Sequence, residues 1–455
     1  MSEQSTDREI KLLISPPPTP NGPLHLGHLS GPYLGADIAA RAARAAGQDV
    51  LHLGSLDPHQ NWTMARAEQL GEPVEAMLDR FGRRISQAME LARFEYDIFF
   101  DPYTDEDYRA ALPALLSELV AGGAVVETES EVALCTECGR TLHHWRVGGT
   151  CPTCGQGACG GSCEGCGTFL LARDLVDARS RCHDAEPEIA SVLIPVLRLE
   201  DFREALTEAW VRAAVSPQAR VMLSRYLEGE LPEVPLAYPG DWGLVWQGGG
   251  EELRIDVWGE MALAYYYTVA RHLNAGSATL AECTAAWNRI SEYWFFTGLD
   301  NPFYLTATIP AVLAAAGVAL DRYAGVVVNE FYRLDGLKFS TSRDHAIWAD
   351  EFLAEQDPAV VRAYLAWDAP NHFGTDFTLA AFEAFKQRFT AVLDGTGGGL
   401  PADSPLVAAE TARGERALRP ETFDPALAVR CALAAYPCGD EAAKKLLASI
   451  TGDAL

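Results

Sequence analysis

Two histidines three residues apart, His25 and His28, stand in the stretch "PNGPLHLGHL", and a lysine, Lys338, opens "KFSTSR" far downstream. On the first turn of a helix, residues three apart project to one side, so the two imidazoles can act together. A helix start with two imidazoles and a close-packing Gly27, reached through a sharp turn at Asn21 and Gly22, can stabilise charge building on phosphates. The lysine is followed by the hydroxyls of Ser340, Thr341 and Ser342 and then by Arg343, the composition of a phosphate grip. Spacing alone also fits a pair of surface histidines at a helix start, so the phosphate reading needs the rest of a site.

Sulfur is the second chemistry. Eight of the eleven cysteines fall between Cys135 and Cys182, and six of them form Cys-x-x-Cys pairs: Cys135 with Cys138, Cys151 with Cys154, and Cys163 with Cys166. Two such pairs make a tetrahedral thiolate cage for zinc, and the glycine after each pair suits the turn. Disulfides and free thiols are the alternatives. In a long chain that starts polar and acidic, without a secretory signal, clustered cysteines favour metal.

The elements that must position these groups follow from patterning. Ile10 to Ser15 reads as a buried strand, "SGPYLGADIAARAARAAG" as a helix ending at Gly47, and "DVLHLGSLDPH" as a second strand. Strand, loop, helix and strand in that order make a βαβ unit, which implies a parallel sheet. A second alternation begins at "ELRIDVWGEMALAYY" and runs to "GVVVNEFYRLDG". The fold class expected is α/β: a doubly wound, Rossmann-type parallel sheet split by a zinc-binding insertion and followed by a helical C-terminal region. The expected units are residues 1–115 and 236–335 for the two halves of the sheet domain, 116–235 for the insertion, 336–390 for the lysine loop with a helical fold after it, and 391–455 for a short helical remnant. Apolar content of 48% and a formal charge of −27 describe a soluble chain without a broad basic surface. No apolar run reaches membrane-spanning length, so a cytoplasmic protein with no membrane partner is expected.

At this βα junction "HLGH" resembles the HIGH signature of class I aminoacyl-tRNA synthetases, and "KFSTS" resembles their KMSKS loop. The stretches "AEQLG", "TGLDNPFY", "LKFSTSRDHAIW" and "RAYLAWDAPNHFGTDF" are similar to the methionyl-tRNA synthetase branch, over about residues 8 to 390. The resemblance implies that His25, His28 and Lys338 handle the phosphates of Mg-ATP while an aminoacyl adenylate forms. It places Asn21, Gly27, Ser340 and Ser342 beside the nucleotide and gives Gly298 and Asp300 to the ribose, with a cap or turn as the lesser alternative for those two. Asp57 matches the aspartate that holds the substrate ammonium, with His59 a secondary candidate. Trp258 and Tyr265 match residues that line the amino-acid pocket, where core packing is the alternative. "GTCPTCGQGACGGSCEGCG" resembles the zinc knuckle, implying that Cys151, Cys154, Cys163 and Cys166 share one zinc ion. A second zinc would need Cys135, Cys138, Cys182 and His183, with His143 or His144 as substitutes because neighbouring ligands make poor geometry. Cys159 is left without a role.

Departures from the family pattern shape the functional reading. Thr19, Met261 and Phe295 replace a tyrosine, an alanine and a histidine of the pocket, which changes its volume, shape and polarity. Thr341 replaces the second lysine of the loop, and the residues after 390 hold no tryptophan and no basic cluster with which to read an anticodon. The expected function is ATP-dependent amino-acid activation without tRNA. The acyl group would pass to a small acceptor such as an N-hydroxylated amino acid in specialised metabolism, with a separate cupin-type protein as partner. A divergent methionyl-tRNA synthetase that charges tRNA is the alternative, and a non-catalytic amino-acid-binding or regulatory paralogue is the third.

Overall fold

Six strands pair in parallel: β1 (Ile10–Ile14), β2 (Asp49–Ser55), β3 (Ile98–Phe100), β4 (Ala214–Val215), β5 (Ile290–Gly298) and β6 (Tyr323–Asn329), in the order β4-β6-β5-β1-β2-β3. The structure is a computed structural model that describes residues 9–274, 279–299, 301–339, 345–401 and 404–453. Parallel strands are covered on both faces and therefore read as nearly continuous apolar runs. Leu12 and Leu13, on opposite faces of β1, are both fully buried. The chain leaves β1 towards β2 on one side, while β5 flanks it on the other. That reversal of strand order opens a crevice beyond the carboxyl ends of β1 and β5, where α/β sheets bind ligands.

The helix after β1 is not continuous. A short turn at Leu26–His28 passes through a wide turn, Leu29–Tyr33, before the regular helix α1 (Leu34–Ala45) begins. Gly31 leaves helical geometry there and Pro32 follows it. Gly47, with φ +79°, ends the segment as the sequence pattern predicts.

The insertion leaves the sheet on a long antiparallel ribbon, Val126–Cys135 against Pro187–Arg198, with Glu233–Pro235 added at one side. The cysteine-rich unit sits at the far end of the ribbon around its own small core, which includes Leu142, Val147 and Leu175. Two expectations need correction here. Ala214–Val215, inside the span assigned to the insertion, is the edge strand β4 of the central sheet. Glu251–Ile255, expected in that sheet, pairs instead with Ala237–Tyr238 and Val245–Gly248 in a separate antiparallel sheet. Both segments are short, and strand pairing partners are set by tertiary packing rather than by local pattern.

Residues after 390 pack onto the half of the chain that carries β1 and α1 rather than standing apart. The expected boundary at 391 falls inside the helix Leu379–Leu393. Leu446, Leu447 and Ile450 share one core with Ile38, Ala39 and Val361. Arg362, on helix α2 (Pro358–Trp367), ties this region together. Its guanidinium donates to Asp37 Oδ2 at 2.5 Å, to the Ala92 carbonyl at 2.8 Å and to the Ile450 carbonyl at 3.0 Å, the last within helix α3 (Glu441–Thr451). Arg362 is 1% exposed and Asp37 is fully buried. Burial raises the Asp37 pKa, but the charges of Arg362 and Arg41 outweigh it and hold the carboxylate below its ordinary value. No helix among the described residues is long and apolar enough to cross a membrane.

Removing one partner of a buried ion pair leaves an uncompensated charge, which costs about 3–5 kcal/mol. Arg362→Ala is expected to lose stability in that range in urea unfolding.

Candidate active site

The loop after β1 is rich in proline, and its Pro18 carbonyl accepts the Asp57 amide at 3.0 Å, so the β1 and β2 loops form one wall. At its end the two histidines cap each other. His25 Nδ1 accepts the His28 amide and His28 Nδ1 accepts the His25 amide, both at 3.2 Å. The rings stack at 3.6 Å between centroids and 12° between planes. Burial, then the neighbouring imidazole, lowers the His25 pKa to about 2, and burial lowers that of His28 to about 4. Both rings are therefore neutral near pH 7. Because each Nδ1 accepts an N–H, the proton of each ring sits on Nε2 and is free to donate. The backbone amides at the helix start are largely occupied, since the Leu26 amide also donates to the Ile347 carbonyl at 3.1 Å. The donors this site offers are thus ring N–H groups more than helix-end amides.

The lysine loop reaches the histidines through Phe339, not through Lys338. Phe339 stacks on His25 at 4.8 Å, and a Cβ at Gly27 would fall 2.9 Å from the Phe339 ring, so this close approach requires glycine. Lys338 turns the other way, with Nζ 3.4 Å from Glu164 Oε2 and 4.0 Å from the Phe331 ring centre. Ser340, Thr341, Ser342 and Arg343 lie outside the described residues, as does Asp300. Gly298 ends β5 beside Asn329 of β6, and Asn21 closes its turn by an amide bond to the Thr19 carbonyl at 2.8 Å.

The six amino-acid-side candidates converge. Thr19, Asp57, Trp258, Met261, Tyr265 and Phe295 all line one cavity of about 530 Å³. His25, His28, Gly27 and Lys338 are outside that lining. Asp57 is 7% exposed and takes a long hydrogen bond from Thr19 Oγ1, 3.5 Å. Burial pushes its carboxyl up to about 7, against hydrogen bonds from Gln60 and Thr19 and the charge of His59, and with repulsion from Glu260. His59 does not bond Asp57. Its Nδ1 lies 2.7 Å from Glu260 Oε1, which also accepts from Tyr108 Oη at 2.8 Å. Trp258 is held flat against Tyr304, with centroids 3.8 Å apart and planes at 4°.

The insertion forms the opposite wall of this cavity, through His144, Trp145, Cys159, Glu164 and Arg181. In its knuckle, Cys151 Sγ lies 3.8 Å from Cys166 Sγ, and Cys154 Sγ lies 3.7 Å from Cys163 Sγ. A tetrahedron with zinc–sulfur bonds of about 2.3 Å has edges of about 3.8 Å, so the four thiols fit zinc. The second set fits as well: Cys138 Sγ is 3.8 Å from Cys182 Sγ, and Cys135 Sγ is 3.5 Å from His183 Nδ1. All four donor atoms of each set lie within 4.8 Å of one another. The expected difficulty with adjacent ligands is relieved by a tight turn, in which Asp184 takes φ +54° and its amide bonds the Ser180 carbonyl at 2.9 Å. His143 and His144 are engaged elsewhere, His143 stacked on Tyr238 and His144 Nε2 2.5 Å from Asp256 Oδ2. Each Cys-x-x-Cys pair ends in a left-handed glycine, Gly139, Gly155 or Gly167, whose amide bonds the carbonyl of the first cysteine.

A family model described as "tRNA synthetases class I (M)" matches residues 11–395. The chain belongs to that family. It is 31% identical to the methionine–tRNA ligase of Dehalococcoides mccartyi over 369 residues, covering 80% of this chain and 66% of that protein. It is 32% identical to the methionine–tRNA ligase of Chlorobaculum tepidum over 391 residues, covering 80% and 54%. The chain thus spans between 54% and 66% of the length of these curated relatives. The fold matches the structure titled "Mycobacterium tuberculosis methionyl-tRNA synthetase in complex with methionyl-adenylate", with a TM-score of 0.67 at 18% identity, covering 95% of this chain and 82% of that one.

Several groups in and around this cavity escape a reading of the sequence. Glu260 left a signal, a lone acid in the apolar run "VWGEMALAYYY". Arg181 and Glu164 left none, because their positions depend on how the insertion folds back.

Elemental analysis of the purified chain is expected to return two zinc ions. Cys154→Ser and Cys138→Ser should each remove one of them, and the double variant both.

Proposed function

We propose that this protein activates an amino acid with ATP, forming an aminoacyl adenylate and pyrophosphate, and then transfers the acyl group to a small acceptor. The observation that carries the first half is the convergence of Thr19, Asp57, Trp258, Met261, Tyr265 and Phe295 on one cavity, at the end of the same loop that presents the stacked histidines. Asp57 pairs with the substrate ammonium. Its carboxyl, lifted by burial, ionises more readily once that cation arrives. The substrate carboxylate oxygen then attacks the α-phosphorus, and the bond to the β-phosphate oxygen breaks. The Nε2–H groups of His25 and His28 donate to phosphate oxygens as negative charge develops, which favours the transition state over the ground state. Lys338 exchanges Glu164 for the triphosphate, which magnesium accompanies. Met261 and Phe295, which line the same cavity as Asp57, change the side-chain end of the pocket, so the amino acid is identified by assay.

The acidic charge of −27 supports a small acceptor over a polyanion, because binding a nucleic acid rests on neutralising its phosphates. Charging of tRNA is the second reading, and the names of the relatives favour it. ATP–pyrophosphate exchange across an amino-acid panel tests the first half, and acyl transfer to tRNA or to small hydroxylamines tests the second. His28→Ala is expected to slow exchange about 10²-fold, the usual cost of losing one transition-state donor. A wild-type chain without exchange for any amino acid would sink the proposal; charging of tRNA with no transfer to small acceptors would favour the second reading.

The Asp57 carboxyl gives a pH signature. Activity per unit of amino acid should rise with pH and level off above about 7, as the empty-site carboxyl ionises. A carboxyl raised on folding takes stability away as pH rises from its unfolded value to its folded one. Asp57→Asn is therefore expected to raise Tm more at pH 8 than at pH 5 while abolishing exchange.

A further inference from the structure

The insertion brings to the cavity an arginine that the activation step leaves unused. Arg181 follows the strand Val176–Ser180 and lines the same cavity as Asp57. Its Nη2 donates to Cys159 Sγ at 3.0 Å, and its guanidinium carbon lies 5.7 Å from the Trp145 ring centre. Trp145 in turn packs 5.2 Å from Trp62, which is 41% exposed at the mouth. Among the described residues Arg181 has this thiol and this ring for partners, and no carboxylate. Its neighbours in the insertion do have one: Arg146 bonds Asp241 at 3.1 Å and Arg140 bonds Glu68 at 3.0 Å. The two acids of the cavity lining are otherwise placed, Asp57 deep among the amino-acid residues and Glu164 on Lys338.

Other arginines among the described residues also lack a carboxylate, such as Arg179 and Arg225, but those bond backbone carbonyls, whereas Arg181 lines the cavity. A guanidinium offers five donors in a planar fork that matches a carboxylate at two points, and its face rests well on an aromatic ring. A thiol is a weak acceptor and uses one of those donors. The remaining edge is available at the wall opposite the pocket where the activated amino acid would lie.

We propose that Arg181, with Trp145 and Trp62, forms an acceptor subsite that holds the carboxylate of a small amine, hydroxyl or hydroxylamine nucleophile. This rests on the adenylate-forming reading above. The nucleophile's lone pair attacks the acyl carbon of the adenylate, forming a carbon–nitrogen or carbon–oxygen bond. The bond from that carbon to the phosphate oxygen breaks, AMP leaves with the electron pair, and the nucleophile's proton passes to water or to the departing phosphate. No oxidant or reductant enters.

The test uses the zinc-loaded full chain and two probes, N-hydroxyglycine and hydroxylamine, which differ by a carboxylate arm. With the amino acid found by exchange, the wild type is expected to prefer N-hydroxyglycine in kcat/KM. Arg181→Gln should lower the ratio of the two at least tenfold, and Arg181→Lys, which keeps the charge but not the fork, should restore part of it. In parallel, saturation-transfer NMR on the chain without ATP should detect N-hydroxyglycine bound to wild type, lost in R181Q and weakened in W145A. Three results would overturn the proposal: an unchanged ratio in R181Q, a matching rise in the KM for ATP during exchange, or binding that R181Q leaves intact. A wild type that charges tRNA and neither probe would overturn it too. Absence of exchange would instead defeat the adenylate reading, and the NMR titration would still decide the subsite.

Discussion

The carboxylate of Asp37 is fully buried, and an anion in an apolar interior must be neutralised where it lies. Arg41, one turn along the same helix, bonds it at 2.8 Å, and two further partners come from separate parts of the chain: Arg362 at 2.5 Å and the Glu95 amide at 2.9 Å. Satisfying this one group therefore fixes helix α1 against the region after the lysine loop and against the chain entering β3. Because α1 continues from the turn that carries His25 and His28, the same constraint sets where the imidazoles stand. The last helix joins the arrangement through the Ile450 carbonyl, which makes the C-terminal residues part of the catalytic scaffold.

A second dependence runs through the insertion. The cavity has the wall that bears Asp57 on the sheet loops and its other wall on the cysteine-rich unit. Glu164 lies between two knuckle cysteines, Cys163 and Cys166, and faces Lys338. Metal bound there would stiffen a wall of the site while remaining remote from any reacting bond, which is the behaviour of closed thiolate cages. The ribbon that carries this unit is long, and among the groups that hold it over the crevice are the His144–Asp256 contact, the Asn61 bond to the His143 carbonyl at 2.7 Å and the Arg140–Glu68 ion pair at 3.0 Å.

Much of the site was legible because its signals are local. The histidine spacing, the strand ending before Asp57 and the Cys-x-x-Cys pairs each sit within a few residues, and local geometry converts such spacing directly into position. The six residues that the family resemblance assigned to the amino acid line one cavity, although they come from four separate stretches of chain. What stayed hidden depends on long-range packing. Nothing near Lys338 announces Glu164, nothing near Ala214 announces a sixth strand, and the pairing of His59 with Glu260 instead of Asp57 is settled only when helix Val257–Asn274 is in place. The doubt about adjacent ligands at Cys182 and His183 overlooked the turn at Asp184, whose left-handed backbone few non-glycine residues adopt.

Lys338 and Phe339 are consecutive residues that face opposite ways, one outward to an acid and the other inward onto His25. Alternation of this kind is what extended backbone imposes. It divides the labour of the loop between a fixed foot and a movable arm. With the aromatic foot resting over Gly27, the lysine can leave its carboxylate by rotating its own side chain while Phe339 stays in place. The entropy cost of fixing Lys338 on any new anion would then be that of one flexible side chain.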